Sequence, residues 1–488
     1  MMPQAALANV IDRDLISHDQ NELDHYSQDV SFVNRMRPAC IVRPKTASDV
    51  QRIVKAANDS RTPLVPVSSG APHFRGDTVP SVGGAVIVDM SGMKQVVLVD
   101  RARRVAMCEP GVTFGELIPQ VAKAELRLNM PLLPRKTKSV VGSLLEREPV
   151  IMPKYQWDIS DPWACGEIIF GTGDEFRTGQ AAGPGTIAEQ RAVGGAQKAP
   201  YGPGTASWHR LIQGAQGTMG IVTWASMRCE LLPKLEEPFV VGSSKLRSLL
   251  EMMYWLIRLR IVNECFILNN TNMAAIFAKQ SPAEYQRLRD AFPAWTLFYV
   301  VAGYEYFPEE RVSTQIQDIG EITQRLGVEA VKAVGGVSAN EILKTVQGPS
   351  EEPYWKIRKK GACEDVFYLT VFDRIEAQIE SMNRLAERAG YPASNIGMYV
   401  QPIVQGTSYH CEFNLFYDAE NRREFNRVCE LSTLAVRTLI AKGAFFSRPY
   451  GETASAIVNR DAASAAVLSK FKKIFDPNNV MNPGKVCV

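Results

Sequence analysis

Residues 66–90, PVSSGAPHFRGDTVPSVGGAVIVDM, constrain this chain more than any other stretch. They follow a short apolar run, Leu64-Val65, and end in the strand-like Ala85 to Met90. Between the two lies a loop of small residues, Ser68, Ser69, Gly70, Ala71 and Gly76. Small side chains let backbone N–H groups come close to a ligand, and successive N–H groups form anion-binding concavities. Such a loop reads as a diphosphate cradle or as an ordinary surface turn, and later segments have to decide between them.

The chain has 488 residues, enough for two or three domains and a large core. Hydrophobic residues make up 45% and charged residues 22%, the balance of a soluble globular protein. A net charge of +3 gives no argument for nucleic acid or anionic lipid. No apolar run reaches the roughly 18–20 residues of a membrane span. The first 25 residues mix acids with short apolar pieces and lack a basic-then-apolar signal peptide. Nine cysteines are scattered without a CxxC pair, which argues against a disulfide framework, an iron–sulfur cluster or a zinc site. The expected location is the reducing cytoplasm. Five histidines argue against a multi-histidine metal centre.

Residues 1–38 read as a polar N-terminal arm. Ala39 to Val42 is a strand candidate, and Thr46 opens a helix with capping-box spacing to Asp49. Val50, Ile53, Val54 and Ala57 then fall on one helical face. Val96–Asp100 and Arg104–Glu109 form an expected hairpin, and Thr113 with Glu116 a second capping box. Ser139 to Arg147 reads as a helix start, and Cys165–Phe170 with Glu175–Thr178 as another hairpin. Residues 180–205, rich in Gly, Ala and Pro, read as a loop. Gln213 to Thr223 is a second small-residue turn feeding a strand. The character shifts near Pro233 to Pro238: long helical patterns, such as 246–259 and 375–389, alternate with strands at 295–301 and 411–417. Ala463 to Phe475 is an amphipathic helix that stops at Asp476-Pro477-Asn478-Asn479.

Taken together and in order, PVSSGAPHFRGD, CEPGVTFGEL, SVVGSLLERE, GTMGIVT and FDPNNVMNPGK resemble the vanillyl-alcohol oxidase and 4-cresol dehydrogenase family of FAD enzymes. More distant relatives are the glycolate oxidase and D-lactate dehydrogenase flavoproteins. The resemblance implies an α+β fold of the p-cresol methylhydroxylase (PCMH) type. A two-part FAD domain, 1–235 completed by 445–488, would enclose an α+β cap at 236–444. FAD is the implied cofactor, with its diphosphate on Ser68, Ser69, Gly70, Ala71, Pro72, His73 and Gly76. Pro110, Gly111, Ser139, Val140, Gly142, Ser143, Gly220, Ile221 and Val222 would line the adenosine and flavin path. Asn482 and Lys485 would close on the flavin end.

By the same resemblance, catalysis falls to Asp158, Arg75, His410, Tyr450 and Glu452. Asp158 matches the family stretch that carries an acid beside the flavin, and it also reads as a loop or helix-cap residue. His410, Glu412 and Asn414 share one face of a cap strand by alternation. Tyr450-Gly451-Glu452 resembles the segment with a phenolate-gripping tyrosine–arginine pair, although the arginine is absent there and Arg448 stands just before. Arg75 occupies the place of a tyrosine in phenol-oxidising members, and it could bind a carboxylate or phenolate, face solvent or pair with Asp77. Neither His73 nor Cys363 lines up with the family's flavin-linking residues, so non-covalent FAD is expected, and no metal.

Three functions remain open on this reading: an FAD-dependent oxidoreductase acting on an aromatic alcohol or para-substituted phenol, a 2-hydroxy acid dehydrogenase, or a non-catalytic FAD subunit of an electron-transfer complex. The implied partners are a small-molecule substrate, an electron-acceptor protein such as a cytochrome, and a second copy in a homodimer.

Overall fold

The computed structural model describes residues 7, 10–202, 209–279, 281–451 and 453–486. The first sheet contains β1 (Ile16–Ser17), β2 (Cys40–Val42), β3 (Leu64–Val67) and β4 (Val86–Asp89) in the order β1-β2-β4-β3. The helix Ala47–Ser60 carries the chain from β2 to β3, so both can lie parallel to β4. Its capping box forms as the spacing requires. Asp49 N donates to Thr46 Oγ1 at 3.1 Å, and Thr46 N donates to Asp49 Oδ2 at 3.0 Å. Val50, Ile53, Val54 and Ala57 are buried against one face of the sheet.

The N-terminal stretch is more than an arm. β1 pairs with β2, and a helix Gln20–His25 follows, capped by Asp19. Its Leu23 packs on Ile41, Val65 and Ile87, covering the other face of the first sheet. One buried residue in a six-residue helix leaves no hydrophobic period to read.

The second sheet is antiparallel and built on a twelve-residue strand, β10 (Gly220–Leu231). Around it run β5 (Val96–Asp100), β6 (Val105–Cys108), β7 (Leu126–Leu128), β8 (Trp163–Phe170) and β9 (Glu175–Arg177), with the order β5-β6-β10-β8-β9 and β7 also on β10. Helices Phe114–Lys123 and Val140–Glu146 bury Leu117, Val121, Val141 and Leu144 in its core. The expected loop 180–205 contains a helix, Ile187–Ala192, with its own capping box between Thr186 and Glu189. Threonine followed three residues later by glutamate was the signal in the sequence, masked by the surrounding glycines.

The third sheet is also antiparallel. It contains β11 (Leu235–Ser243), β12 (Val262–Asn269), β13 (Trp295–Gly303), β16 (Ala362–Thr370), β17 (Ile396–Ile403) and β18 (Ser408–Tyr417), in the order β11-β13-β12-β17-β18-β16. A two-residue-per-strand hairpin, β14 (Ala333–Val334) and β15 (Val337–Ser338), stands apart. Helices Leu246–Arg258, Ile375–Arg388 and Arg422–Ala441 cover one face, where β18 contributes Cys411, Phe413 and Leu415. His410, Glu412 and Asn414 therefore point from the opposite face.

After the helix Ala462–Phe475 the chain returns to the first sheet. Asp476 is buried, its side chain accepts from Val480 N at 2.9 Å and Met481 N at 2.7 Å, and it pairs with buried Lys472. The turn aims residues 480–482 along β3: Leu64 N donates to Val480 O at 2.7 Å, and Asn482 N to Leu64 O at 2.8 Å.

Candidate cofactor cavity and active site

A cavity with about 1370 Å³ of space including its mouth is lined by residues of the first two sheets and, at Asp365, of the third. Ser68, Ser69 and His73 of the small-residue loop line it, as do Pro110, Gly142, Gly220, Ile221 and Val222. The loop is held by its neighbours. Gly70 N donates to Thr137 O at 3.0 Å, Ser139 N to Ser69 Oγ at 3.0 Å, and Arg135 Nη1 to Gly70 O at 2.7 Å. Gly76 has φ +73°, and a Cβ there would sit 2.4 Å from Val33 Cγ1, so glycine is required for the bend.

Several expected contacts serve the frame of the cavity. Ser139 caps the helix Val140–Glu146 by accepting from Gly142 N at 2.8 Å and donates to Pro110 O at 2.6 Å. Val140 is buried in the core of the second sheet, Ser143 Oγ donates to Glu148 at 2.6 Å, and Gly111 lies close under the carbonyls of Met90, Ser91 and Met93. Gly70, Ala71, Pro72 and Gly76 shape the loop without lining the cavity. Asn482 and Lys485 brace the same loop: Asn482 Nδ2 donates to Asp77 O at 2.9 Å and Gln216 O at 2.8 Å, and Lys485 Nζ to Gly76 O at 2.6 Å.

At the end against the third sheet, Arg75, Tyr354, Asp365 and Tyr450 meet. Arg75 pairs with Asp365 at 3.2 Å, across to the third sheet, rather than with Asp77. Its guanidinium also lies 4.5 Å from the Phe367 ring centre and 5.8 Å from that of Tyr450. Neither the Tyr354 nor the Tyr450 hydroxyl has a protein hydrogen-bond partner among the described residues. Burial raises both phenols above their ordinary pKa, so each is a neutral donor at pH 7.

Behind them lies a buried charge network. Lys356 Nζ pairs with Asp365 at 2.7 Å and Glu412 at 2.5 Å. Glu412 also meets His410 Nε2 at 3.2 Å and Asn414 Nδ2 at 2.7 Å. Burial works against the Lys356 charge, but Asp365 and Glu412 outweigh it and keep its pKa well above the ordinary value. Burial likewise opposes the Glu412 charge, but Lys356 and His410 hold it well below the usual carboxylate range. Burial pulls the His410 imidazole down, with Glu412 opposing. His410 thus stands behind the cavity wall, linked to it through Glu412, Lys356 and Asp365.

Asp158 is placed elsewhere. Its Oδ1 accepts from Ser160 N at 3.0 Å and Ser160 Oγ at 2.7 Å, and Arg210 pairs with it near the surface. It lines no part of the cavity. A carboxylate two residues before a serine closes a local turn, which accounts for the misplacement. The acids on the cavity wall are Asp77, Glu146, Glu148 and Asp365. Glu452 lies outside the described residues. Tyr354, Lys356 and Asp365 carried no motif; only their strand register and a loop crossing bring them to Arg75.

The donor set fits FAD. The amides of Ser69 and His73 meet no protein acceptor among the described residues, and Arg135 and Lys138 supply positive charge beside them. Burial, with Arg135 and Lys138, lowers the His73 pKa to about 3, so the imidazole is neutral at pH 7. Val67, Met90, Ile168 and Ile221 give apolar walls for flat rings. Among the described residues, no cluster of three His, Cys, Asp or Glu is placed to hold a metal, and no helix is long and apolar enough to cross a membrane.

Comparison with known proteins agrees with the cavity. Residues 38–148 match the FAD binding domain family, and residues 458–486 match the C-terminal domain of FAD linked oxidases. The flavoprotein subunit of 4-cresol dehydrogenase (hydroxylating) from Pseudomonas putida is 22% identical, covering 92% of this chain and 87% of its own. D-2-hydroxyglutarate dehydrogenase from Stutzerimonas stutzeri is 22% identical, covering 98% and 97%. The crystal structure of p-cresol methylhydroxylase with substrate bound superposes with a TM-score of 0.83 at 19% identity, covering all of this chain and 96% of that one. These matches and this cavity make the chain an FAD-linked oxidoreductase with the PCMH-type fold and FAD as its cofactor.

Proposed function

We propose that the enzyme takes hydride from an aromatic alcohol or para-substituted phenol. The observation that carries this reading is the pair of hydroxyls, Tyr354 and Tyr450, that lack a hydrogen-bond partner among the described residues and lie beside Arg75 at the end of the cofactor cavity. Two neutral phenol donors and a guanidinium suit a substrate oxygen held as its anion, whose electron density moves into the new double bond as hydride leaves the carbon. Bound FAD supplies the two-electron acceptor. Ser68, Ser69 and His73 position its diphosphate. Lys356 and Glu412 keep Asp365 and His410 oriented behind Arg75, as positioning residues. Phe74, edge-on to Tyr354 at 5.6 Å between ring centres, helps exclude water.

A second reading, oxidation of a 2-hydroxy acid, is favoured by Arg75 itself, whose planar guanidinium also suits a carboxylate. We further propose that residues 1–235 with 445–488 act as the cofactor domain and 236–444 as the substrate domain. The 4-cresol dehydrogenase relative is a flavoprotein subunit, which supports an electron-acceptor protein as partner here.

Anaerobic stopped-flow reduction decides between the readings. We expect vanillyl alcohol or 4-cresol to bleach the flavin at least about tenfold faster than D-lactate or glycolate. The reverse order establishes the hydroxy acid reading, and no bleaching by either set rejects both.

A further inference from the structure

We propose that a second cavity is a substrate subsite that takes a carboxylate-bearing arm, with Arg448 as its anion partner. This rests on the reading that an aromatic substrate is oxidised at the flavin end, and it adds an acidic arm remote from the reacting carbon.

The second cavity holds about 750 Å³ of space, including its opening. Phe32 and Val33 from the N-terminal stretch, Val366 and Phe367 from β16, Val436 from the helix Arg422–Ala441, and Phe446 give it apolar walls, and two acids also line it, Asp365 paired with Arg75 and Glu364 accepting from Ser432. Phe74, Arg75, Asp365 and Tyr450 border both cavities, so the two meet at the proposed reaction end. A substrate at Tyr450 can therefore extend past Arg75 into the second space.

Arg448 borders the second cavity alone. It is only 6% exposed, and its guanidinium lies 4.2 Å from the centre of the Phe367 ring. Among the described residues it makes no hydrogen bond and no ion pair. Glu148 senses its charge without pairing with it. Arg75, which also lies over the Phe367 ring, is already matched by Asp365. The Arg448 guanidinium borders the cavity without an acceptor among the described residues, and an anion placed in that cavity would pair with it. The planar fork of five donors matches a carboxylate in two-point contact. The apolar walls between Tyr450 and Phe446 then cover the stem that carries it.

The test uses the FAD-loaded enzyme and two probes that are not oxidised at an aromatic alcohol: 4-phenylbutanoate and its neutral counterpart 4-phenylbutan-1-ol. Binding is read by calorimetry and by the flavin absorbance change. The acid is expected to bind at least about tenfold more tightly than the alcohol. Arg448→Met should remove that preference, and Arg448→Lys should restore part of it. Thr433→Trp, which fills the cavity from its helix wall, should weaken both probes. Equal affinity for the two probes, or a preference that survives Arg448→Met, overturns the proposal. The yellow spectrum reports folding of each variant, and the Lys and Trp variants keep the test decisive if the Met variant loses flavin. Because binding needs no turnover, a failed substrate panel and a failed subsite give different results.

Discussion

Arg75 is the residue on which the proposed active end turns. It sits on the cofactor loop, pairs with Asp365 of the third sheet and stacks on Phe367 and Tyr450. Removing it deletes a charge-assisted contact worth about 1.5–3 kcal/mol. Arg75→Ala is expected to raise the apparent substrate constant for an anionic substrate by about 10- to 100-fold while changing that for a neutral one far less. Equal effects in steady-state assays on both would reject the charge role. Glu364, on the wall of the second cavity, carries a pH dependence. Burial raises its carboxyl from 4.5 to about 7; Ser432, which donates to it at 2.9 Å, opposes and Asp365 adds. The folded state then keeps a proton that the unfolded chain has released. Stability therefore falls as pH rises between those two values and stays reduced above the upper one. Glu364→Gln keeps the acceptor for Ser432 and is expected to add about 1–2 kcal/mol at pH 8, after allowance for solvent in the cavity. At pH 5 the gain should shrink toward zero, and urea melts at the two pH values measure it.

Among the elements, the turn at Asp476 does the most with the fewest atoms. One carboxylate satisfies two backbone amides and the buried Lys472, and so directs residues 480–482 onto β3. Asp476→Ala leaves a buried ammonium without its partner, a change that costs about 3–5 kcal/mol. Thermal melts should show that loss, and ultrafiltration should recover more released flavin from the variant, because Asn482 and Lys485 no longer brace the loop. Element-scale features were also the most legible in the sequence. The box at Thr46 and Asp49, the helix face from Val50 to Ala57 and the strand alternation at His410, Glu412 and Asn414 all rest on contacts a few residues apart. The helix at Ile187 was hidden because glycines around it outweighed its cap.

At the scale of the molecule, legibility fails where function depends on register. Lys356, Asp365 and Glu412 come from a loop and two strands, and only the pairing of Phe367 with Glu412 and of Asp365 with Asn414 brings them together. Asp158 fitted a motif, yet its side chain is taken up by Ser160 and Arg210. The loop at 68–76 was readable as a tight bend because only a small residue fits where Gly76 meets Val33. The part played by Asn482 and Lys485 was not, since bracing a loop and touching a ligand leave the same trace in sequence. The brace has a consequence for how the protein is made. Residues 64–76 leave the ribosome some 400 positions before the residues that steady them. Until residues 482–485 have been made, the nascent loop lacks its buttress, so it takes its final shape late although it is synthesised early.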